Sequence, residues 1–316
     1  MAENDNKKLD KKHNNVKRLS IIIVTYRSEN DIYDCVASVW KYSDLRKEEL
    51  EVIVVDNSPQ SESMFSRLRE LYGDDVVLIA NTHNGGYGQG NNVGIRHATA
   101  PVCMIMNPDV RLREPVFSTV VKAFDEDPEL CLYGIKQMLS ENVVSSKSFV
   151  CTRMMNSYVY TFIDAVCNRL NLFLPGLMYF QGSCFFLNKA KFEQVGMFDE
   201  QIFMYGEEDD ITYRIRKQFG NRLKYNPRLR FIHLTLNRPA SLDYEKEKLK
   251  SDLYSFTRKG CSRRYVLKNK LRIVNMLLLK ERVKENILHK DSKSYDVLRQ
   301  FSDFLKQELK KEDQGL

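Results

Sequence analysis

The residues best suited to chemistry in this 316-residue chain are carboxylates that follow short apolar runs. Val102–Met106 has the pattern of one buried strand and stops at Asn107-Pro108-Asp109. Pro108 cannot donate a ladder hydrogen bond, so the strand should end there. A carboxylate at the C-terminal end of such a strand sits where open α/β sheets bind ligands. Asp109 is a hard oxygen donor suited to Mg²⁺ or Mn²⁺, although Asn, Pro and Asp are also ordinary turn residues. A second cluster, Glu207-Glu208-Asp209-Asp210, opens a helical pattern that runs through Arg214 and Arg216 to Gly220. Acids at a helix start suit the macrodipole. Adjacent carboxylates also raise one another's pKa, which suits a general base. Glu207 and Asp210 share a helical face, and Glu208 points elsewhere. His233, in the run Leu229–Leu234, is a structural histidine or, with Asp109 in the same sheet, a second metal ligand.

The elements that must position these groups alternate. Leu19–Tyr26 is β-branched and nearly all apolar, as a central parallel strand should be. A helix is predicted over 28–42, a strand over 51–55 ending in Asp56-Asn57-Ser58-Pro59, a helix over 64–72 and a strand over 76–80. This β-α-β-α-β order implies a parallel sheet with right-handed crossovers. The stretch Asn84-Gly85-Gly86-Tyr87-Gly88-Gln89-Gly90-Asn91-Asn92-Val93-Gly94 is read as a loop leading into a helix. It matches neither G-x-G-x-x-G nor a Walker A loop, which argues against a dehydrogenase or a P-loop NTPase. Its glycines permit close backbone approach to a ligand, and the helix start favours anions. Further on, a helix is predicted over 115–126, irregular or helical acceptor-side structure over 140–180, a strand over 181–187 and a short helix over 189–195.

The composition, 43% apolar with 17 Phe and 16 Tyr, supports a sizeable core. No apolar run approaches the roughly 18 residues of a membrane span, and residues 1–18 are polar, without the look of a signal peptide. They read as a disordered basic tail. Seven cysteines without C-x-x-C spacing argue for reduced thiols in a cytoplasmic protein and against a zinc site or disulfide framework. The net charge of +7 is regional: residues 254–290 hold eleven Lys/Arg against two Asp/Glu.

Six motifs in order resemble glycosyltransferase family 2 on the GT-A fold, in its bacterial rhamnosyltransferase-like branch. They are Ser20-Ile-Ile-Ile-Val-Thr-Tyr26, Val52-Ile-Val-Val-Asp-Asn57, Asn84-Gly-Gly-Tyr-Gly88 with Asn91-Asn92, Asn107-Pro-Asp109, Gly182-Ser183, and Phe203-Met-Tyr-Gly-Glu-Glu-Asp-Asp210. Each is weak singly, and the set spans residues 19–240. The resemblance implies an α/β, mostly parallel GT-A domain over 19–243. Its nucleotide-sugar half would cover about 19–110 and its acceptor half about 111–243, with a helical extension over 244–316. It implies that Thr25 and Tyr26 line the nucleotide site, that Asp56 hydrogen-bonds a pyrimidine base, and that Asn84, Gly85, Gly86 and Asn91 border the donor. Asp109 becomes the metal ligand of the D-x-D motif. Asn107 departs from that motif; it can hydrogen-bond the donor sugar or ribose but brings no charge to the metal, which gives His233 more importance. The acidic pair aligns with Glu207-Glu208, making Glu208 the expected base, with Asp210 the alternative. The implied reaction is inverting transfer from a UDP- or dTDP-linked sugar, rhamnose among the candidates, to a hydroxyl of a glycan or lipid-linked acceptor in bacterial surface polysaccharide synthesis, assisted by Mn²⁺ or Mg²⁺.

In the C-terminal third, Leu267, Leu271, Val274 and Leu278 recur at helical spacing amid Lys268, Lys270, Arg272, Lys280, Arg282 and Lys284. This basic amphipathic helix either contacts an anionic membrane surface on the cytoplasmic side or docks on the catalytic domain with a solvated basic face. Residues 295–309 form another amphipathic helix, for packing or self-association. Two rival readings are a sugar nucleotidyltransferase, which would want glycine and a basic phosphate loop after the first strand, and a basic nucleic-acid-binding protein. The second leaves the strand-end carboxylates unexplained, and no nucleic-acid partner is expected.

Overall fold

The computed structural model describes residues 16–81, 83–145, 147–152, 157–234, 241–288 and 293–314. The predicted tail falls outside them apart from its last three residues. Strand β1 (Leu19–Thr25) is followed by helix α1 (Glu29–Lys41), β2 (Leu50–Asp56), α2 (Glu62–Tyr72), β3 (Val76–Ala80), α3 (Gly86–His97) and β4 (Val102–Met106). Then come β5 (Val110–Leu112), α4 (Phe117–Glu126), β6 (Leu132–Ser140), β7 (Val143–Val144), β8 (Phe149–Cys151), α5 (Ser157–Leu170), β9 (Met178–Phe180) and β10 (Cys184–Asn188). The chain ends with α6 (Lys189–Gln194), α7 (Glu207–Phe219), β11 (Leu223–His233), α8 (Leu242–Arg258), α9 (Arg263–Leu288) and α10 (Lys293–Asp313).

The main sheet has the order β3-β2-β1-β4-β10-β6-β11-β5, with β7 paired to β6. Strands β3, β2, β1 and β4 are parallel, as the alternating pattern requires, and β10 inserts antiparallel between β4 and β6. The register brings the chemistry to one edge. Thr25 sits opposite Asp56, Ile23 opposite Met106, and Met106 opposite Cys184. The segments after β2 and β4 and the Gly182-Ser183 step before β10 therefore leave the sheet together. Side chains of β1 alternate between two cores, Ile21 and Ile23 on one side and Ile22 on the other. Each fully buried isoleucine contributes about 1.5–3 kcal/mol to holding that edge in place.

Four sequence expectations are corrected. The glycine stretch is not a loop before a helix, because α3 begins at Gly86 and contains the later glycines. A Cβ on Gly94 would lie 2.4 Å from Ile22 Cγ2, so the glycines let α3 rest directly on β1. Residues 140–180 contain strands β8 and β9, a separate antiparallel pair, as well as α5. Strand β11 runs from Leu223, well before the predicted start, because a register shift between Asn226 and Arg230 lets the chain carry Pro227 within a strand. Finally, the apolar stripe of α9 is covered. Leu267 and Val274 are buried with Leu249, Phe301 and Leu305 in a third core, and Leu271 and Leu278 pack against it. Arg263 meanwhile pairs with Glu308 and Glu312 of α10. That stripe holds α8, α9 and α10 together and is not free to enter a membrane. All seven cysteines are free, and six are buried. Among the described residues no helix is long and apolar enough to cross a membrane.

Candidate active site

A cleft of about 820 Å³ opens along the common edge of the strands. Its lining comes from the end of β1 (Val24–Ser28), from Asp31 and Asn57, and from Asn84, Gly86 and Tyr87. It continues through Asn107–Asp109, Gln181–Ser183, Met204, Tyr205, Glu207, Glu208 and His233. Of the residues expected from the sequence, Thr25, Tyr26, Asn84, Gly86, Asn107, Asp109, Glu207, Glu208 and His233 meet here. Asp56, Gly85, Asn91 and Asp210 do not line it. Asp56 is buried, and its Oδ1 accepts from Thr25 Oγ1 at 2.8 Å, from Ser58 Oγ at 2.8 Å and from the Ser58 N–H at 3.2 Å. Asn57 faces the cleft at that position. Asn91 is buried and donates to the Tyr87 carbonyl at 2.9 Å. Asp210 is tied to Arg214 on its own helix at 2.8 Å.

The Asn107–Val110 turn is closed by a Val110 N–H to Asn107 carbonyl bond at 3.1 Å. Arg111 braces it from behind, donating to the carbonyls of Pro108 at 2.8 Å and Val110 at 2.9 Å. The Leu234 N–H donates to the Asp109 carbonyl at 2.9 Å, so the end of β11 is stitched to this turn. His233 Nε2 consequently stands 3.3 Å from Asp109 Oδ1. The buried His233 Nδ1 has no hydrogen-bond partner. Among the described residues no group of three or more His, Cys, Asp or Glu could hold a metal. Asp109 Oδ1 and His233 Nε2 together form a carboxylate–imidazole donor pair on the cleft wall, of which the carboxylate is the hard-cation donor.

The acid side is built differently. Tyr205 at φ 71 and Gly206 at φ 110 turn the chain through the left-handed region and start α7 at Glu207. This phase sends Glu208 toward Gly182, where a Cβ would lie 1.9 Å from Glu208 Oε1. The Tyr87 hydroxyl donates to the Gly182 carbonyl at 2.6 Å, pinning the same strand entry. Burial and the Glu208 charge raise the Glu207 carboxyl well above the usual carboxylate range. Burial also raises Glu208, while the N–H groups of Glu208 and Gly182 and the Lys248 ammonium pull it down. Glu207 is the more enclosed of the two, with one carboxyl oxygen lacking any partner, and its carboxyl is the one raised well above the usual range.

Sequence reasoning assigned no role to α8, yet one side of it braces this loop. Tyr244 packs edge-on to Tyr205 at 5.1 Å, and Lys248 Nζ lies 5.6 Å over the same ring. Ser251 Oγ donates to the Met204 carbonyl at 2.9 Å, and Lys259 reaches Asp209 at 2.7 Å in a buried ion pair. The only available sequence signal was the residue spacing Tyr244, Lys248, Ser251, Ser255 and Lys259 along one helical side.

A curled α/β sheet flanked by helices, with a cleft along its strand ends, is similar to GT-A glycosyltransferase structures. Two solved structures share the fold. The mannosyltransferase PcManGT from Pyrobaculum calidifontis, in complex with GDP-Man and Mn²⁺, has a TM-score of 0.58 at 15% identity, over 91% of this chain and 84% of its own. GalNAc-T7 with UDP, GalNAc and Mn²⁺ has a TM-score of 0.56 at 18% identity, over 75% of this chain and 47% of its own. Residues 20–196, more than half the chain, match the family described as Glycosyl transferase family 2, and the chain belongs to that family. The low-salt glycan biosynthesis hexosyltransferase Agl10 of Haloferax volcanii is 29% identical over 220 residues, 63% of this chain. The match spans 62% of Agl10, less than two thirds of its length.

Proposed function

We propose that the cleft binds a nucleoside-diphosphate sugar together with Mn²⁺ or Mg²⁺, and that Glu208 is the base of an inverting transfer to an acceptor hydroxyl. One observation carries the reading: a carboxylate seated against Gly182 and the Asp109–His233 pair line the same cleft. Asp109 and His233 would hold the cation, whose chemistry when bound is to offset charge on the departing diphosphate. Thr25, Tyr26, Asn57 and Asn84 border the nucleotide, and Asp56 acts through Thr25 and Ser58 by fixing the end of β1. Glu208 takes the acceptor proton as the hydroxyl oxygen attacks the anomeric carbon from the face opposite the nucleotide. Glu207 stays protonated and adds no second charge beside it. Tyr87 holds Gly182 in place under the base.

The acceptor is a glycan or a lipid-linked saccharide in surface-glycan synthesis, and the donor carries a hexose or deoxyhexose. The likeness to Agl10, a hexosyltransferase of glycan biosynthesis, supports this class. dTDP-rhamnose and UDP-hexoses are the first donors to test. Thermal stability against nucleoside diphosphates with and without Mn²⁺ tests the donor half: a ligand at about 100 times its Kd adds about 2.7 kcal/mol. Asp109→Asn and His233→Ala should lose the metal-dependent part. Glu208→Gln should keep it and lose transfer. Transfer at the wild-type rate by Glu208→Gln would refute the assigned base.

A further inference from the structure

Outside the cleft, α5 carries a row of exposed apolar side chains. Val159, Phe162, Val166 and Leu170 recur at i, i+3, i+7 and i+11 and are 37–71% exposed, with Phe162 the most open. The adjoining side of the helix is anchored, because Cys167 is buried in the second core and Ile163 packs against it. The row continues past the helix end in exposed Leu172 and Leu174. Scattered apolar residues are normal on a surface, but a contiguous row along one helical face marks a contact site.

Helix α9 packs beside α5. With its sequence-legible stripe buried against α8 and α10, its outer side is a different set: Lys268, Arg272 and Lys280, interleaved with Leu279 and Val283, which are 64% and 47% exposed. Between Arg263 and Val283 every exposed charged residue is basic. On such a side the cations can meet lipid phosphates while the apolar side chains reach into the headgroup boundary.

We propose that the α5 row and the outer side of α9 form one face that docks on an anionic membrane surface. Its apolar side chains enter the headgroup boundary, and Lys268, Arg272 and Lys280 meet lipid phosphates. This rests on the lipid-linked alternative for the acceptor given above, since such an acceptor is held at that surface. Charge decides against a second copy of the chain as occupant. A two-fold contact centred on α9 would set its basic side near its own image, whereas an anionic bilayer complements that charge across the whole face.

The test is co-sedimentation of the full chain, at moderate salt, with vesicles of phosphatidylcholine alone or of equimolar phosphatidylcholine and phosphatidylglycerol. The wild type should pellet with the anionic vesicles and not with the neutral ones. Phe162→Asp with Leu170→Asp, and separately Lys268→Glu with Arg272→Glu, should each cut binding by about tenfold or more. Both variants should retain the nucleoside-diphosphate thermal shift, which shows an intact fold and keeps this test separate from the catalytic assignment. Wild-type protein left in the supernatant with anionic vesicles would overturn the proposal. So would a concentration-dependent dimer in light scattering that Phe162→Asp with Leu170→Asp dissolves while vesicle binding is unchanged.

Discussion

Replacing Gly182 by alanine would put a methyl carbon 1.9 Å from Glu208 Oε1 and 2.9 Å from the Tyr87 hydroxyl oxygen. An unstrained contact there needs about 3.4 Å or more, so the carboxylate must retreat by about 1.5 Å. The obstacle is the end of a side chain, so the fold can absorb the change and the thermal midpoint should hold. The base cannot absorb it, because misplacement by about 1 Å costs on the order of 100-fold in rate. The expected result for Gly182→Ala is therefore a kcat lower by about 100-fold, equivalent to about 2.7 kcal/mol of barrier. The donor KM and the nucleoside-diphosphate thermal shift should stay unchanged. The assay is acceptor-dependent release of nucleoside diphosphate. Gly176→Ala is the control, since its Cβ would meet nothing nearer than Asn221 Nδ2 at 3.4 Å. A Gly182→Ala enzyme with wild-type kcat would refute the inference that Glu208 acts from its seat on Gly182.

Removing the Lys248 ammonium with Lys248→Met takes away a charge that lowers the Glu208 pKa. The acid limb of kcat/KM should move to higher pH, Lys248→Arg should move it back, and an unmoved limb would exclude the coupling. Because the folded-state pKa of Glu207 is raised, its stabilising contribution is full below the ordinary carboxylate value and is lost as pH rises through the raised one. Glu207→Gln, neutral throughout, should flatten the fall of the thermal midpoint over that span; an unchanged slope would contradict a protonated Glu207. Gly86→Ala, with φ +87 and a Cβ 1.8 Å from the Phe203 carbonyl oxygen, meets backbone that cannot swing aside. It should cost about 1–3 kcal/mol or more in a denaturant midpoint, and a neutral result would mean that α3 and the 203–206 loop move independently.

Legibility in the sequence followed the range of the interactions. Strands β1, β2 and β4 were readable because each is a short β-branched or apolar run closed by a turn signal, and the motif residues at their ends inherit that register. Strands β8 and β9 were not, because each has three residues and is stabilised mainly by its partner. Glu208 and Asp210 could not be ranked from spacing alone. What separates them is the left-handed step at Tyr205 and Gly206, which sets the phase of α7, and the Arg214 partner that occupies Asp210. Asp56 read as a ligand for a base, and the hydroxyls of Thr25 and Ser58 turn its Oδ1 inward. The basic stripe of α9 was legible as amphipathic, but a helix wheel does not tell a membrane from the neighbours α8 and α10.

The bracing of the acid loop by α8 has a consequence for synthesis. The edge made by β1, β2 and β4 is encoded early and can form while the chain is still emerging. Ser251, Arg258 and Lys259 reach the 199–209 region only after the whole of α8 has left the ribosome. A nascent chain thus presents most of its nucleotide edge well before it owns a braced base.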